Sequence, residues 1–232
     1  MRIIAGQWRG RTIAVPKGDN TRPILDRAKT VLFDMLGYRL ALPGRLPPLA
    51  VLDLFAGSGT LALEALSRGA RYALCVERHR ATARLLRQNL DTLGAVDAAD
   101  IIDADATRCE FPPPPDVQAG HHVEQPPVYE LVFIDPPFRL LSRPKPDRTI
   151  CELLHRLALH PVIAPSALIV VRHPFRPADP PDLAPLIELD RRNVGRSTLR
   201  FMTTPRDQGD IDETNTPTPT HDELDTDSRM SP

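Results

Sequence analysis

Four short predicted strand runs, each ending at or followed by an acidic residue, constrain the fold of this chain more than any other feature. The runs and their acids are residues 50–55 with Asp53, residues 72–76 with Glu77, residues 100–106 with Asp105, and residues 129–134 with Asp135. Stretches with the apolar spacing of a helix follow the first two runs. Buried strands that alternate with helices are typical of an open, mostly parallel α/β sheet. Such sheets bind ligands at the carboxyl ends of their strands, so we expect a ligand site among these acids.

The other periodic segments extend the same pattern. Apolar spacing predicts helices over residues 26–36, 60–68, 79–93 and 147–159. Further strands are predicted over residues 167–171, 186–189 and 197–202, with a turn at Gly195. The first 18 residues alternate apolar and basic side chains between glycines, which predicts a small β-hairpin or meander.

Composition bounds the number of domains. The chain has 232 residues, of which 41% are hydrophobic and 25% charged, as in a soluble protein with one domain of ordinary size. Its 26 prolines cluster between the predicted elements. We expect a basic hairpin and helix over 1–40 packed on an α/β domain over 41–205. Residues 109–128 read as a proline-rich surface insertion in that domain, and 206–232 as a disordered acidic tail.

Several classes of protein are disfavoured. No apolar run approaches the roughly 20 residues of a membrane span, and the N-terminus lacks the apolar core of a signal peptide. Cys75, Cys109 and Cys151 are far apart, which indicates reduced thiols in a cytosolic protein. The adjacent His121 and His122 have no third candidate ligand nearby. We therefore expect a cytoplasmic monomer with no membrane association and no metal.

Charge is distributed unevenly along the chain. Residues 1–30 carry seven basic and two acidic side chains, whereas residues 206–232 carry two basic and eight acidic ones. A basic arm before a body near neutrality favours binding of a polyanion, because each neutralised phosphate releases counterions. The candidate phosphate contacts are Arg9, Arg11, Arg22, Arg27 and Lys29. An ordinary solvated surface segment explains these charges almost as well.

A glycine-containing loop follows the first apolar run, with the sequence Asp53-Leu54-Phe55-Ala56-Gly57-Ser58-Gly59. Glycines there let the backbone approach a ligand that faces the next helix N-terminus. The loop lacks the third glycine of a dinucleotide fingerprint. Asp53 would repel a pyrophosphate but suits a cationic group such as an α-amino group or a sulfonium. Glu77 is placed to accept hydrogen bonds from a ribose, although a solvated strand-end carboxylate remains the alternative.

A second motif, Asp135-Pro136-Pro137-Phe138, follows the run at residues 129–134. An exocyclic base amine is a poor nucleophile because its lone pair is delocalised into the ring. The Asp135 carboxylate and the Pro136 carbonyl can accept its two N–H bonds, and prolines hold that carbonyl rigidly. Phe138 can stack on a base flipped out of its helix or loop. The alternative is a turn with a buried ring.

In this order, the motifs resemble the bacterial 16S rRNA (guanine-N2)-methyltransferase family. The resemblance covers most of residues 1–202 and is carried by residues 1–10 (MRIIAGQWRG), 21–33 (TRPILDRAKTVLF), 51–69 (VLDLFAGSGTLALEALSRG), Glu77, Asn89-Leu90, Asp105-Ala106, 131–138 (LVFIDPPF) and 195–199 (GRSTL). The N-terminal segment is the part that separates this family from other amino-methyltransferases.

The resemblance implies a Rossmann-like, seven-stranded class I methyltransferase sheet with a small N-terminal hairpin and helix. It implies S-adenosylmethionine as cofactor and methylation of one guanine on an assembling 30S subunit. Asp53 and Gly57 would face the methionine part of the cofactor, Glu77 would hold the ribose and Asp105 the adenine amine. Residues 135–138 would hold the target base. The further expected cofactor contacts are Phe55, Ala56, Gly59 and Ala106.

The sequence departs from the family pattern at a few positions. Thr30 and Asp34 replace a Glu and an Asn that are common in the first helix, and residues 171–173 (Val-Arg-His) stand where acids are usual. Two other functions stay open. A DNA adenine-N6 or cytosine-N4 methyltransferase would use the same Asp-Pro-Pro-aromatic chemistry, but usually carries a sizeable target-recognition domain. A non-catalytic RNA-binding assembly factor could retain the fold, although the intact acidic series argues against it. A nucleotide-dependent oxidoreductase is a more distant alternative, because the third phosphate-loop glycine is missing.

Overall fold

The computed structural model of the chain describes residues 1–16, 24–115, 126–141, 146–176 and 180–206. Its helices are α1 (Asp26–Arg39), α2 (Thr60–Ser67), α3 (Arg80–Leu93) and α4 (Arg148–Leu159). Its strands are β1 (Ala50–Leu54), β2 (Tyr72–Val76), β3 (Ala99–Ile102), β4 (Tyr129–Ile134), β5 (Ile163–Pro174), β6 (Ile187–Val194) and β7 (Ser197–Thr203). No helix of the described part is long and apolar enough to cross a membrane.

The seven strands form one sheet in the order β3-β2-β1-β4-β5-β7-β6. The first five are parallel, and β7 runs antiparallel to both β5 and β6. This confirms the predicted seven-stranded α/β sheet. Because β1 and its neighbours β2 and β4 run in parallel, their carboxyl ends meet at one edge.

Two apolar layers cover the sheet, one on each face. Alternate residues of β1 divide between them: Val51 packs with α1, α2 and α3, whereas Leu52 packs with α4. Every residue of β1 and β2 is buried. Burial on both faces explains why these strands appear in the sequence as continuous apolar runs without alternation.

The strands at the sides of the sheet differ most from their predicted bounds. β5 begins at Ile163 and ends at Pro174, well beyond the predicted 167–171, because pairing with β4 and β7 extends it through polar residues. β3 stops at Ile102, short of the predicted Ala106, because the chain then turns: Asp105 accepts backbone hydrogen bonds from Arg108 and Cys109. The predicted turn at Gly195 does join β6 to β7.

The N-terminal residues form a hairpin that packs on α2. Arg2 and Thr12 make an antiparallel bridge, and Gln7 donates a backbone hydrogen bond of 2.8 Å to the Ser67 carbonyl. Gly6 lies so close that an added Cβ would come within 1.8 Å of that carbonyl oxygen. Only glycine fits this contact, and its φ of +83° also favours glycine.

A buried carboxylate fixes the hairpin to the body. Glu64 of α2 accepts hydrogen bonds from the backbone of Ile4 (2.8 Å) and Ala5 (3.0 Å), and from Arg68 Nε (2.9 Å). Lys29 of α1 lies 3.9 Å from the same carboxylate, and both side chains are fully buried. Glu64 therefore joins the hairpin, α1 and α2 through one charged group.

Parts of the predicted insertion and tail are outside the described residues, namely 116–125 and 207–232. At the start of the insertion, Phe111 is buried in the core, and Arg156 lies 5.0 Å from its ring centroid. The insertion is thus anchored at this end, which its polar composition did not reveal. Arg206, placed by the sequence in the tail, donates 2.8 Å to the Ile163 carbonyl and so belongs with the body.

Replacing Glu64 tests the buried network. We expect Glu64→Ala to lower the free energy of unfolding by about 3–5 kcal/mol, because Arg68 Nε and the hairpin N–H groups lose their buried acceptor and Lys29 keeps only Asp26 of its two carboxylate partners. Glu152→Ala is the matched control, since Glu152 also pairs with an arginine on its own helix but is 58% exposed. It should cost less than about 1 kcal/mol. Urea denaturation compares the two, and equal losses would contradict the role given to Glu64.

Candidate active site

A cleft of about 620 Å³ opens at the carboxyl ends of β1, β2 and β4. It is the position at which open α/β sheets bind ligands. Ten of the twelve cofactor and base contacts expected from the sequence line it: Asp53, Phe55, Ala56, Gly57, Glu77, Ala106, Asp135, Pro136, Pro137 and Phe138. Gly59 and Asp105 do not.

The loop after β1 is held by the loop after β2. Glu77 accepts 2.9 Å from the Gly57 backbone N–H with one carboxylate oxygen and 2.7 Å from His79 N–H with the other. Phe55 has a φ of +65°, a strained conformation for a residue with a side chain. Gly59 has a φ of +82°, and an added Cβ there would meet Leu86 at 2.2 Å, so this position of the loop favours glycine.

Asp53 lies below this loop, only 1% exposed, yet on the wall of the cleft. Its Oδ2 accepts 3.1 Å from the Ala62 N–H, so it caps the N-terminus of α2 from the neighbouring strand. Burial, opposed by that hydrogen bond and reinforced by the charges of Asp135 and Glu77, raises the pKa of Asp53 to about 8. The carboxylates of Asp135 and Glu77 therefore act electrostatically on that of Asp53.

Asp135 follows the last residue of β4, and its side chain keeps 16% exposure toward solvent. Arg172 of β5 donates from Nε to Asp135 Oδ1 at 2.7 Å. The same guanidinium lies 5.2 Å from the ring centroid of Phe138, within cation–π range. Burial raises the pKa of Asp135 above its ordinary value, while Arg172 opposes the rise.

Sequence reasoning missed Arg172 as a site residue, although residues 171–173 were noted as unusual. The useful signal is strand register: Ile134 of β4 is paired with Val171 of β5, so the next residues of the two strands are neighbours. Because the predicted strand ended at residue 171, Arg172 fell outside it and its position beside Asp135 was not recognised. Arg139, Pro16 and Ile24 also line the cleft and were not predicted as site residues.

Asp105 lies outside the cleft, between Ala104 and Ala106, which line it. Its carboxylate accepts from the Thr107 backbone (2.9 Å) and hydroxyl (2.7 Å) and lies 3.8 Å from Arg78. Despite desolvation, those hydrogen bonds lower its pKa below the ordinary value. Its expected contact with an adenine amine stays a prediction.

The five expected RNA contacts have different surroundings. Arg9 and Arg27 are exposed, and Arg11 is exposed while donating to the Thr92 carbonyl. Arg22 lies outside the described residues. Lys29 was wrong as a phosphate contact, because its ammonium is fully buried and donates to the Arg2 carbonyl at 2.5 Å. The sequence suggested that Lys29 and Arg27 would both hold phosphates at the start of α1, but the N-terminal hairpin covers the Lys29 side chain.

The chain matches the family model described as "Conserved hypothetical protein 95" over residues 1–203. The chain belongs to this family. A curated relative, ribosomal RNA small subunit methyltransferase D of Escherichia coli, is 38% identical over 139 residues, which are 60% of this chain and 61% of the relative. The protein of the same name from Haemophilus influenzae is 34% identical over 74% of this chain and 77% of its own length.

A solved structure is similar to this chain over most of its length. An Escherichia coli protein described as a candidate methyltransferase is 32% identical and superposes with a TM-score of 0.64, covering 88% of this chain and 97% of its own. The family match begins at residue 1, so the hairpin that packs on α2 is part of what this chain shares with the family.

Replacing Arg172 tests the electrostatic coupling in the cleft. We expect Arg172→Gln to raise the pKa of Asp135 further, because desolvation is then no longer opposed by a neighbouring cation. Arg172→Lys keeps a positive charge and should limit the rise. Carboxyl carbon NMR titration measures both variants, with Asp135→Asn identifying the signal. Titration midpoints that are the same in wild type and Arg172→Gln would contradict the coupling.

Proposed function

We propose that this protein transfers a methyl group from S-adenosylmethionine to the exocyclic N2 amine of a guanine in 16S ribosomal RNA during maturation of the small subunit. The observation that carries the proposal is the meeting of the Asp135-Pro136-Pro137-Phe138 segment with Asp53, Gly57 and Glu77 in one cleft. One group of residues suits a cationic methyl donor, and the other suits a planar amine acceptor.

The residues of the cleft fit the proposed cofactor. S-adenosylmethionine supplies an activated methyl group on a positively charged sulfur. The carboxylate of Glu77, joined by that of Asp53 once a bound cation has ionised it, gives the cofactor end of the cleft acceptors that suit a sulfonium and an α-amino group. The Gly57 backbone has space beside it, since a Cβ added there would meet nothing within 4 Å. Glu77 retains lone pairs for ribose hydroxyls on the two oxygens that hold the loops.

The Asp-Pro-Pro-Phe segment fits a nucleobase amine. Asp135 accepts an N–H bond from the amine, and the rigid Pro136 carbonyl accepts the second, so the nitrogen lone pair turns toward the donor. A bound S-adenosylmethionine would supply the methyl group to the nitrogen and leave as S-adenosylhomocysteine, and the proton that the nitrogen loses would pass to Asp135 or water. Positioning supplies most of the rate enhancement, with no strong base required.

The choice of ribosomal RNA is supported by the Escherichia coli and Haemophilus influenzae relatives, both of which carry a small-subunit ribosomal RNA methyltransferase name. Exposed Arg9 and Arg27 give the N-terminal part a surface for phosphates. Pro16 and Ile24 of the same part line the cleft, so a strand bound by the arm would lie beside the reacting groups.

Methyl transfer from labelled cofactor to 30S particles, 16S RNA and duplex DNA, followed by nucleoside analysis, tests the proposal. N2-methylguanosine from RNA or particles is the expected product. Methyladenine or methylcytosine from DNA, without N2-methylguanosine, would replace the proposal by a DNA methyltransferase. RNA binding with no methylation of any substrate would favour a non-catalytic assembly factor.

Removing the Asp135 carboxylate should stop the reaction while sparing cofactor binding. We expect Asp135→Ala to bind cofactor within a few fold of wild type and to lose at least about 100-fold in turnover, as when one preorganised transition-state contact is removed. Asp91→Ala, an exposed aspartate on α3, is the control. Single-turnover kinetics provide the measurement, and near-normal turnover by Asp135→Ala would refute the role given to this carboxylate.

Cofactor binding should release a proton. Asp53 has a pKa of about 8, so it is mostly protonated at pH 7, and a cation bound nearby favours its ionised form. We expect release of about one proton at pH 7 and affinity that rises between pH 6 and 8. Calorimetry in buffers of different ionisation heats measures the release. Asp53→Asn should abolish it, and equal release by that variant would exclude Asp53 as the source.

A further inference from the structure

A second, smaller cavity of about 310 Å³ adjoins the cleft. Phe138 lines both cavities, which places them side by side. The other described residues of its wall are Pro174, Phe175, Gly195 and Arg196. They come from the end of β5 and from the turn between β6 and β7, so the cavity continues along the sheet edge that holds the reacting groups.

The structure holds an aromatic ring and a guanidinium together in this wall. Phe175 donates a backbone hydrogen bond of 3.0 Å to the Arg196 carbonyl. Just before it, Pro174 is paired with Ser197 in the β5–β7 ladder. Gly195, with a φ of +60°, begins a two-residue hairpin turn of the kind that needs glycine there. These backbone contacts between the end of β5 and the β6–β7 turn bring Phe175 and Arg196 into the same wall.

The chemistry of the wall suits one nucleotide. Phe175 is 42% exposed and lies in the wall of a cavity, so its ring is accessible to a planar group that enters there. Arg196 is exposed as well, and the described residues of the wall include no acid. Aromatic rings that stack bases, with cations that hold the phosphates, are the usual means of binding single-stranded RNA.

We propose that this cavity is a subsite for the nucleotide next to the methylated guanine, with its base stacked on Phe175 and its phosphate bound by Arg196. The proposal rests on the proposed function, because it requires an RNA target in the adjoining cleft. Holding this neighbour would keep the strand in place while the target base is turned toward Asp135. Phe138 then separates two bases, one on each side of the wall.

Alanine variants with matched controls test the subsite. We expect Phe175→Ala to weaken RNA binding roughly 5- to 100-fold, the usual range for one lost base–aromatic stack. Arg196→Ala should reduce the salt dependence of binding by about one phosphate contact. Tyr38→Ala removes an aromatic that is 82% exposed on α1, and Arg148→Ala a guanidinium that is 90% exposed on α4. Neither control lines the cleft or the smaller cavity beside it, and both should bind RNA as the wild type does.

An abasic series identifies the occupant. After the methylated nucleotide is mapped, oligonucleotides lacking the base on its 5′ or its 3′ side are bound to wild type and to Phe175→Ala. One of the two abasic sites should weaken wild-type binding about as much as Phe175→Ala does and add little to that variant. Equal effects of both abasic sites on both proteins would overturn the proposal, as would a Phe175→Ala affinity equal to that of Tyr38→Ala.

Two further measurements keep the test decisive. Cofactor affinity and thermal melts show whether each variant is folded. If Phe175→Ala is unstable, Phe175→Leu replaces it, because it keeps an apolar side chain but has no ring. Its RNA binding should likewise change little when the stacked base is removed from the oligonucleotide. Failure of the proposed function appears separately, as wild type that binds RNA without methylating it. Failure of the subsite appears as wild-type RNA affinity in the Phe175 variants.

Discussion

Parallel pairing of β1 with both β2 and β4 is the constraint on which the rest of the structure depends. It brings the ends of three buried strands to one edge, and with them Asp53, Glu77 and Asp135. Burial of Asp53 there is unfavourable for its charged form, and the charges of Asp135 and Glu77 add to the cost, so the pKa of Asp53 is raised. The chain compensates with Ala62 N–H, Gly57 N–H and Arg172, and a bound cation would relieve the remaining repulsion. The electrostatic cost of an ionised Asp53 at this edge would therefore be lower with a cationic ligand bound.

The carboxylates of Glu64 and Asp135 are both paired with arginines, but they differ in how completely the protein encloses them. Glu64 is fully enclosed, and backbone N–H groups of the hairpin together with Arg68 and Lys29 surround its carboxylate. It holds the N-terminal part permanently. Asp135 accepts one charged hydrogen bond from Arg172 but keeps partial exposure to the cleft. That difference, complete enclosure against an open side, separates a structural carboxylate from one able to meet a substrate.

Much of the fold was predictable because strands buried on both faces leave continuous apolar runs; β2 and β4 were predicted with their observed bounds. The expected cleft residues followed from the same logic, since an acid after such a strand lies at the ligand edge. What failed depends on contacts between distant segments. Lys29 is buried by a hairpin that local spacing does not show, and Arg172 reaches Asp135 only through the register of β4 with β5. Membership of the family rests on the matched residues 1–203, independently of these details.

The central claim is that cofactor and base meet at this one edge, and a crystal structure with S-adenosylhomocysteine bound tests it most directly. The account predicts the product in the 620 Å³ cleft, its ribose hydroxyls on Glu77 and its sulfur facing Asp135 and Pro136. Product bound outside the cleft, or bound with its sulfur directed away from Asp135, would contradict the account.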